Sequence, residues 1–246
     1  LVMSISSLNF LKVWDIQNWD CLLHLSKINL MGLLASACFL YDYEKDETYI
    51  VTSNSNYGVG IENVKIYNLN GKEIKKIKNS NEDTLFVCTY FEEDQSRTYI
   101  IVSCKNYIKS YDYNDNKLYH KYYEKNLGFH LNVKIEKSNG LVKLYEVCSS
   151  DGYIRIWNFH HGNILFKINT ALKLVSLCLW NENYLFSGVI GGKLLLIDLL
   201  NQKVINIMEG HKNWLNCIKK IKNNKKEEYL ITQGYDDQIQ IWLNDI

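Results

Sequence analysis

Ile154-Arg155-Ile156-Trp157-Asn158 is a short apolar strand that ends in a large aromatic residue followed by Asn. The pattern recurs at Leu11-Lys12-Val13-Trp14-Asp15, Val64-Lys65-Ile66-Tyr67-Asn68 and Ile108-Lys109-Ser110-Tyr111-Asp112. It returns at Leu194-Leu195-Leu196-Ile197-Asp198 and at Ile239-Gln240-Ile241-Trp242. Measured at the aromatic or apolar end residue, the copies fall at positions 14, 67, 111, 157, 197 and 242, in steps of 53, 44, 46, 40 and 45 residues. Such a repeat settles the architecture first, because each copy is one supersecondary unit that must bury its face against the next.

Steps of this size match the roughly 40–45 residues of a four-stranded propeller blade. Between the signatures the chain divides into short strands separated by Gly, Asn, Asp and Ser clusters, the pattern of all-β architecture. Leu33–Leu40, Thr48–Thr52, Val64–Leu69 and Glu73–Ile77 make one blade, and Phe86–Tyr90, Thr98–Ser103, Ile108–Tyr113 and Lys117–Tyr122 the next. With no proline in the chain, its turns depend on pairs such as Asn70-Gly71, Asn139-Gly140 and Asp151-Gly152, which supply positive φ without strain. The expected fold is all-β: a β-propeller of four-stranded antiparallel blades, six of them visible, the first and last incomplete, in a single domain over residues 1–246. Because the first strand is already mid-repeat, and open sheet edges are avoided, an N-terminal closing portion is expected upstream, giving six or seven blades.

The signatures Lys12-Val13-Trp14-Asp15 and Arg155-Ile156-Trp157-Asn158, with Gly210-His211 opening the last unit, resemble the WD-repeat β-propeller family over essentially the whole chain. In that family a Trp, a Ser or Thr, a turn Asp and the His of Gly-His form a buried hydrogen-bonded network. The resemblance places that network on His211, Thr232, Asp236 and Trp242. Buried polar groups satisfied in this way fix strand register. Elsewhere Trp gives way to Tyr67, Tyr111 and Ile197, and Val147 stands where the hydroxyl is expected ahead of Asp151 and Trp157. Those blades are expected to rest on apolar packing.

Composition narrows the function. The hydrophobic fraction of 47% and aromatic fraction of 13%, with 18 Tyr, suffice for a large core. A net charge of +1, from 28 Lys plus Arg against 27 Asp plus Glu, provides no global field for nucleic acid or an anionic membrane. No apolar run reaches the ~20 residues of a membrane-spanning helix. Seven scattered cysteines without a Cys-x-x-Cys pair read as reduced thiols in apolar segments, and hence as an intracellular, rather cytoplasmic than nuclear, protein.

Catalytic motifs are thin. Gly58-Val59-Gly60 lacks the third glycine of a dinucleotide turn, and Gly188–Lys193 lacks the spacing of a phosphate loop. Asp112, Asn114 and Asn116 imitate the start of a calcium loop, yet Lys117 and Tyr123 stand where Gly and Glu are needed. His160-His161 has no further ligand at metal spacing. A paired-Arg phosphoinositide motif is missing, since Arg97 and Arg155 lie far apart. No cofactor, metal or catalytic residue is therefore expected.

What remains is the loop face. The resemblance gathers there the long loop 54–63, with Asn54, Asn56 and Tyr57, together with Asn106, Tyr107, Tyr153, Lys212, Trp214 and Tyr235. Tyr, Trp and Asn make good partner anchors, combining area, low entropy cost and polar ends. The expected function is a non-catalytic scaffold that binds protein or peptide partners through propeller loops and central face, within a multi-subunit complex. The alternative is a regulatory or substrate-receptor propeller attached to an upstream enzymatic or adaptor domain, of kinase or ubiquitin-ligase type.

Overall fold

The computed structural model describes residues 1–6, 10–26, 33–55, 63–77, 83–124, 128–223 and 225–242. The chain forms two compact units, Leu1–Glu124 and Lys125–Ile246. Each contains three antiparallel sheets of the propeller-blade type, and every sheet is made from consecutive strands. The first unit holds β1 (Val2–Ser6), β2 (Phe10–Trp14) and β3 (Cys21–Ser26), then β4 (Leu33–Asp42), β5 (Glu47–Ser55), β6 (Val64–Asn68) and β7 (Glu73–Lys76). Its third sheet is β8 (Thr84–Glu92), β9 (Arg97–Cys104), β10 (Ile108–Asp112) and β11 (Lys117–Tyr122).

The second unit begins with β12 (His130–Ser138), β13 (Leu141–Cys148), β14 (Tyr153–Asn158) and β15 (Ile164–Asn169). It continues with β16 (Leu174–Leu179), β17 (Tyr184–Val189), β18 (Lys193–Asp198) and β19 (Lys203–Glu209), and with β20 (Leu215–Lys222), β21 (Glu228–Gly234) and β22 (Ile239–Trp242). The fold is thus all-β, as the repeat predicts. Among the described residues four blades have four strands, and β1–β3 and β20–β22 have three each. Among the described residues no helix is long and apolar enough to cross a membrane.

Burial follows strand position within the blade. In β14, Ile154, Arg155, Ile156 and Trp157 are all buried, whereas its neighbour β15 alternates between half-buried and exposed residues along most of its length. Inner strands are covered on both faces and read as continuous apolar runs; outer strands face water and alternate. The cores lie between successive blades of one unit. Tyr145, Val147, Ile154 and Ile156 pack with Leu177, Leu185, Leu195 and Ile197 in the second unit. Leu40, Val51, Val64 and Ile66 pack with Val87, Ile100, Val102 and Tyr111 in the first.

The signature repeat is a repeat of geometry. A register shift falls immediately before Trp14, Tyr67, Tyr111, Trp157 and Ile197, where each signature strand pairs with the outer strand that follows. A bulge of this kind twists the strand and re-aims the side chain. The Asp or Asn after the signature then opens the hairpin turn by accepting backbone N–H groups. Asp15 accepts from Gln17, Asn68 from Asn70 and Lys72, Asp112 from Asp115, Asn158 from His160 and His161, and Asp198 from Asn201. This is the Asx turn that these residue types favour. The Asn139-Gly140 pair bridges β12 and β13 with φ of 52° and 74°, the primed hairpin geometry its sequence predicts.

Candidate functional site

The last blade carries the network that the resemblance indicated. Trp242 Nε1 donates to Thr232 Oγ1 at 2.9 Å, and His211 Nε2 lies 2.9 Å from the same hydroxyl. The other ring nitrogen, His211 Nδ1, lies 2.9 Å from Asp236 Oδ1. With Asp236 ionised, Nδ1–H donates to it and Nε2 accepts the Thr232 proton, so one tautomer satisfies every group in the chain. Thr232 is fully buried and His211 5% exposed, so leaving any of these groups unpaired would be costly.

Asp236 does a second job that the sequence reading did not anticipate. Its other oxygen, Oδ2, accepts the Lys212 backbone N–H at 2.9 Å, while Oδ1 also accepts that of Gln238 at 3.3 Å. The Lys212 amide and the His211 ring hold this carboxyl down at about 2, against the opposing push of burial. One ionised side chain thereby ties the loop ahead of β20 to the turn between β21 and β22. The backbone confirms the tie: Tyr235 N–H donates to the Trp214 carbonyl at 3.0 Å. Trp214 and Tyr235, 41% and 58% exposed, stand side by side with ring centroids 6.1 Å apart. Lys212, also exposed, completes the cluster.

The remaining predicted contact residues fall elsewhere. Tyr153 is half-buried at the start of β14 and Tyr107 half-buried just ahead of β10, with Asn106 exposed beside it. Asn54 is fully buried, its Nδ2 donating to the Asn63 carbonyl at 3.2 Å. That residue serves the blade interior and is not a surface contact. Asn56 and Tyr57 lie outside the described residues. The calcium-like stretch Asp112–Asn116 is the turn between β10 and β11, with the Asp112 carboxylate engaged by Arg97 and the Asp115 amide.

The blade β12–β15 corrects the expectation of apolar packing. Trp157 Nε1 donates to Glu146 Oε2 at 3.2 Å. Glu146 is fully buried, meets Arg155 at 3.4 Å, and lies 3.2 Å from His130 Nδ1. Arg155 is also paired with Asp151. A buried ionic cluster thus takes the place of the apolar packing that Val147 leads one to expect; Val147 itself sits in the core between blades. The first blade repeats the neutral version, with Trp14 Nε1 donating to Ser4 Oγ at 3.0 Å.

A cavity of about 350 Å³ opens beside β7 and the β4–β5 turn, lined by Asp42, Lys45, Tyr49, Lys75 and Tyr113 among others. Its polar groups pair with one another: Asp42 Oδ2 accepts from Lys45 Nζ at 3.0 Å and from the Tyr113 hydroxyl at 3.1 Å. Lys75 donates to the Tyr113 carbonyl, and burial lowers its pKa. These contacts brace two blades of the first unit.

Among known families, the model of the WD domain, G-beta repeat matches residues 202–242. That span covers β19 through β22 and includes His211, Thr232, Asp236 and Trp242. No curated protein matched the chain.

Proposed function

We propose that the chain is a non-catalytic scaffold of the WD-repeat β-propeller kind, a reading supported by the match of its last repeat to that family. It docks protein or peptide partners through the loop ends of its blades. Propellers of this family are generally protein-interaction platforms, and the side chains displayed here suit that role. The observation that carries the reading is the Trp214–Tyr235 pair, two large exposed aromatic rings held at 6.1 Å by a buried network. Rigid aromatic anchors lose little conformational entropy on binding, so most of the contact free energy is retained. The same reading takes the chain to be intracellular and part of a larger assembly, in keeping with its seven free thiols.

The test compares partner capture by the unmodified protein and by Trp214→Ala and Tyr235→Ala. Both side chains are substantially exposed, so both variants are expected to unfold at the temperature of the parent. Each should lose its captured partners, with affinity falling by about 2 kcal/mol or more. Partners retained in full by both folded variants would remove this blade end from the docking surface.

A further inference from the structure

Tyr43 stands just past the end of β4, and Phe91 near the end of β8 in the next blade. Their rings stack with centroids 3.7 Å apart and planes 21° from parallel. Tyr41 meets Tyr43 edge-on at 4.6 Å. Tyr41 and Tyr43 are 40% and 58% exposed, and Phe91 is half-buried. Three rings from two blades of the first unit thus form one aromatic surface open to solvent. Apolar surface left in water at one place, rather than scattered singly, marks a site of contact.

The charge around the rings selects the occupant. Segment 42–47 carries four carboxylates and one lysine. Lys45 is paired with Asp42 at 3.0 Å. The other three acids, Glu44, Asp46 and Glu47, are exposed and meet neutral donors only. Asn114 Nδ2 donates to Glu44 at 3.3 Å, the Tyr41 hydroxyl to Asp46 and the Tyr49 hydroxyl to Glu47. Among the described residues none of the three has an ion-pair partner. Phe91 is likewise followed by Glu92, Glu93 and Asp94, and the next cation, Arg97, is paired with Asp112 and Asp115.

Elsewhere the chain supplies a cation to such a ring from the following blade. The Lys220 ammonium, on β20, lies 4.7 Å from the Trp180 ring centroid and donates to the Trp180 carbonyl at 2.6 Å. At Tyr43 the following blade supplies Phe91 instead. Among the described residues no lysine or arginine lies over Tyr41, Tyr43 or Phe91.

We propose that this aromatic surface, with Glu44, Asp46 and Glu47, binds a basic peptide segment, whose arginine side chain stacks on the exposed Tyr43 ring and meets one of the three carboxylates. An aromatic face attracts a cation, more strongly once water is excluded. A guanidinium suits the place better than an ammonium, because it is planar. It lies flat on a ring while its in-plane N–H groups still donate to a carboxylate. The proposal rests on the docking reading above and adds a second surface, on the first unit, with the chemistry of its partner.

A fluorescein-labelled decapeptide of alternating Arg and Gly, titrated into the full chain at about 0.15 M salt and followed by anisotropy, tests it. Tyr43→Ala and Asp46→Asn should each weaken binding about fivefold or more. Asn keeps an acceptor for the Tyr41 hydroxyl and tolerates the φ of 54° at this position, so that variant removes charge and little else. Glu182→Gln, which removes an exposed acid from the β16–β17 turn, should leave binding within about twofold, as should Trp214→Ala. The alternating Lys and Gly peptide should bind severalfold more weakly than the arginine one. Full binding by Tyr43→Ala, equal losses at Asp46 and Glu182, or equal affinity for the lysine peptide would overturn the proposal. A peptide lost only with Trp214→Ala would move the basic segment to the last blade and also overturn it. An arginine peptide that fails to bind, while partners are still captured through Trp214 and Tyr235, would remove this surface and leave the docking reading standing.

Discussion

Trp157 donates its indole N–H to Glu146, at 3.2 Å, in the same part of the blade where Trp242 reaches Thr232 at 2.9 Å. Glu146 lies two residues beyond the strand partner of Trp157, just as Thr232 lies two beyond that of Trp242. One site in the repeat is therefore filled by a hydroxyl in one blade and by a carboxylate in another. The hydroxyl recruits a histidine, whereas the carboxylate recruits Arg155 and brings His130 within 3.2 Å. Both arrangements satisfy the indole, but only the second sets a fully buried carboxylate directly against it.

That difference predicts how the blades fail. Removing one partner of a buried ion pair leaves an uncompensated charge, so Glu146→Ala should cost about 3–5 kcal/mol. Replacing both ends, Glu146→Leu with Arg155→Leu, removes the stranded charge and should recover part of that loss. Urea unfolding of the two proteins decides the matter. A double variant no more stable than the single one would show that packing of the side chains, and not their charge, holds this blade.

In the last blade the hydroxyl of Thr232 serves two neighbours at once. Thr232→Val keeps the shape but strands the His211 and Trp242 ring nitrogens, with an expected loss of about 2 kcal/mol. The corresponding change in the first blade, Ser4→Ala, breaks the bond to Trp14 in a more exposed setting. There water can take over, and a loss below about 1 kcal/mol is expected. Equal losses at the two sites would contradict the role assigned to burial.

The fold was legible because its signals are local. A strand ending in Trp or Tyr, and an Asp or Asn that caps the following turn, act within a few residues of each other. Thr232 could be placed by the same counting, since its blade keeps the ordinary turn length. Glu146 could not. Trp157 pairs with a residue thirteen positions earlier and Trp242 with one twelve earlier, so counting back from Trp157 landed on Val147, one residue too late. A one-residue slip moves a side chain to the other face of the sheet, so the spacing of the last blade points to Val147 and passes over the ionic cluster at Glu146. The double duty of Asp236 was hidden for another reason: its bond to the Lys212 amide depends on where the chain passes, not on which side chain is there.

Asp236 should also shape the response to acid. Its carboxyl is held at about 2 in the folded protein, below the ordinary carboxylate value of about 3.9. A group depressed in this way contributes stability that is fully present above the unfolded pKa and is lost as pH falls through the folded one. Thermal unfolding followed from pH 5 to pH 2 should therefore show a decline below about pH 4 that is shallower in Asp236→Asn. Superimposable curves for the two proteins would remove Asp236 from the acid response.

The same carboxylate should govern local opening. Asp236 accepts the amides of Lys212 and Gln238, and both lie in exposed loops where few other contacts slow exchange. Asp236→Ala should speed hydrogen exchange at those two amides, and at Tyr235, while leaving the amides of β16–β18 unchanged. If Lys212 and Gln238 exchange as slowly as before, the tie between the Trp214 loop and the Tyr235 turn lies elsewhere.

Two glycines separate backbone strain from close approach. Gly192 and Gly140 both have positive φ, +87° and +74°. A Cβ on Gly140 would meet nothing within 4 Å, whereas one on Gly192 would fall 1.8 Å from the His211 carbonyl oxygen. Gly140→Ala therefore pays only for its dihedral, about 1 kcal/mol. Gly192→Ala must also push away the backbone of His211, whose N–H donates to the Gly192 carbonyl at 2.9 Å. Its expected cost is about 3 kcal/mol or more. Because His211 anchors the Thr232 and Asp236 contacts, Gly192→Ala should also change the fluorescence of Trp242, which Gly140→Ala should leave untouched. Matching losses and unchanged emission in both variants would mean that the β17–β18 turn yields without disturbing the network.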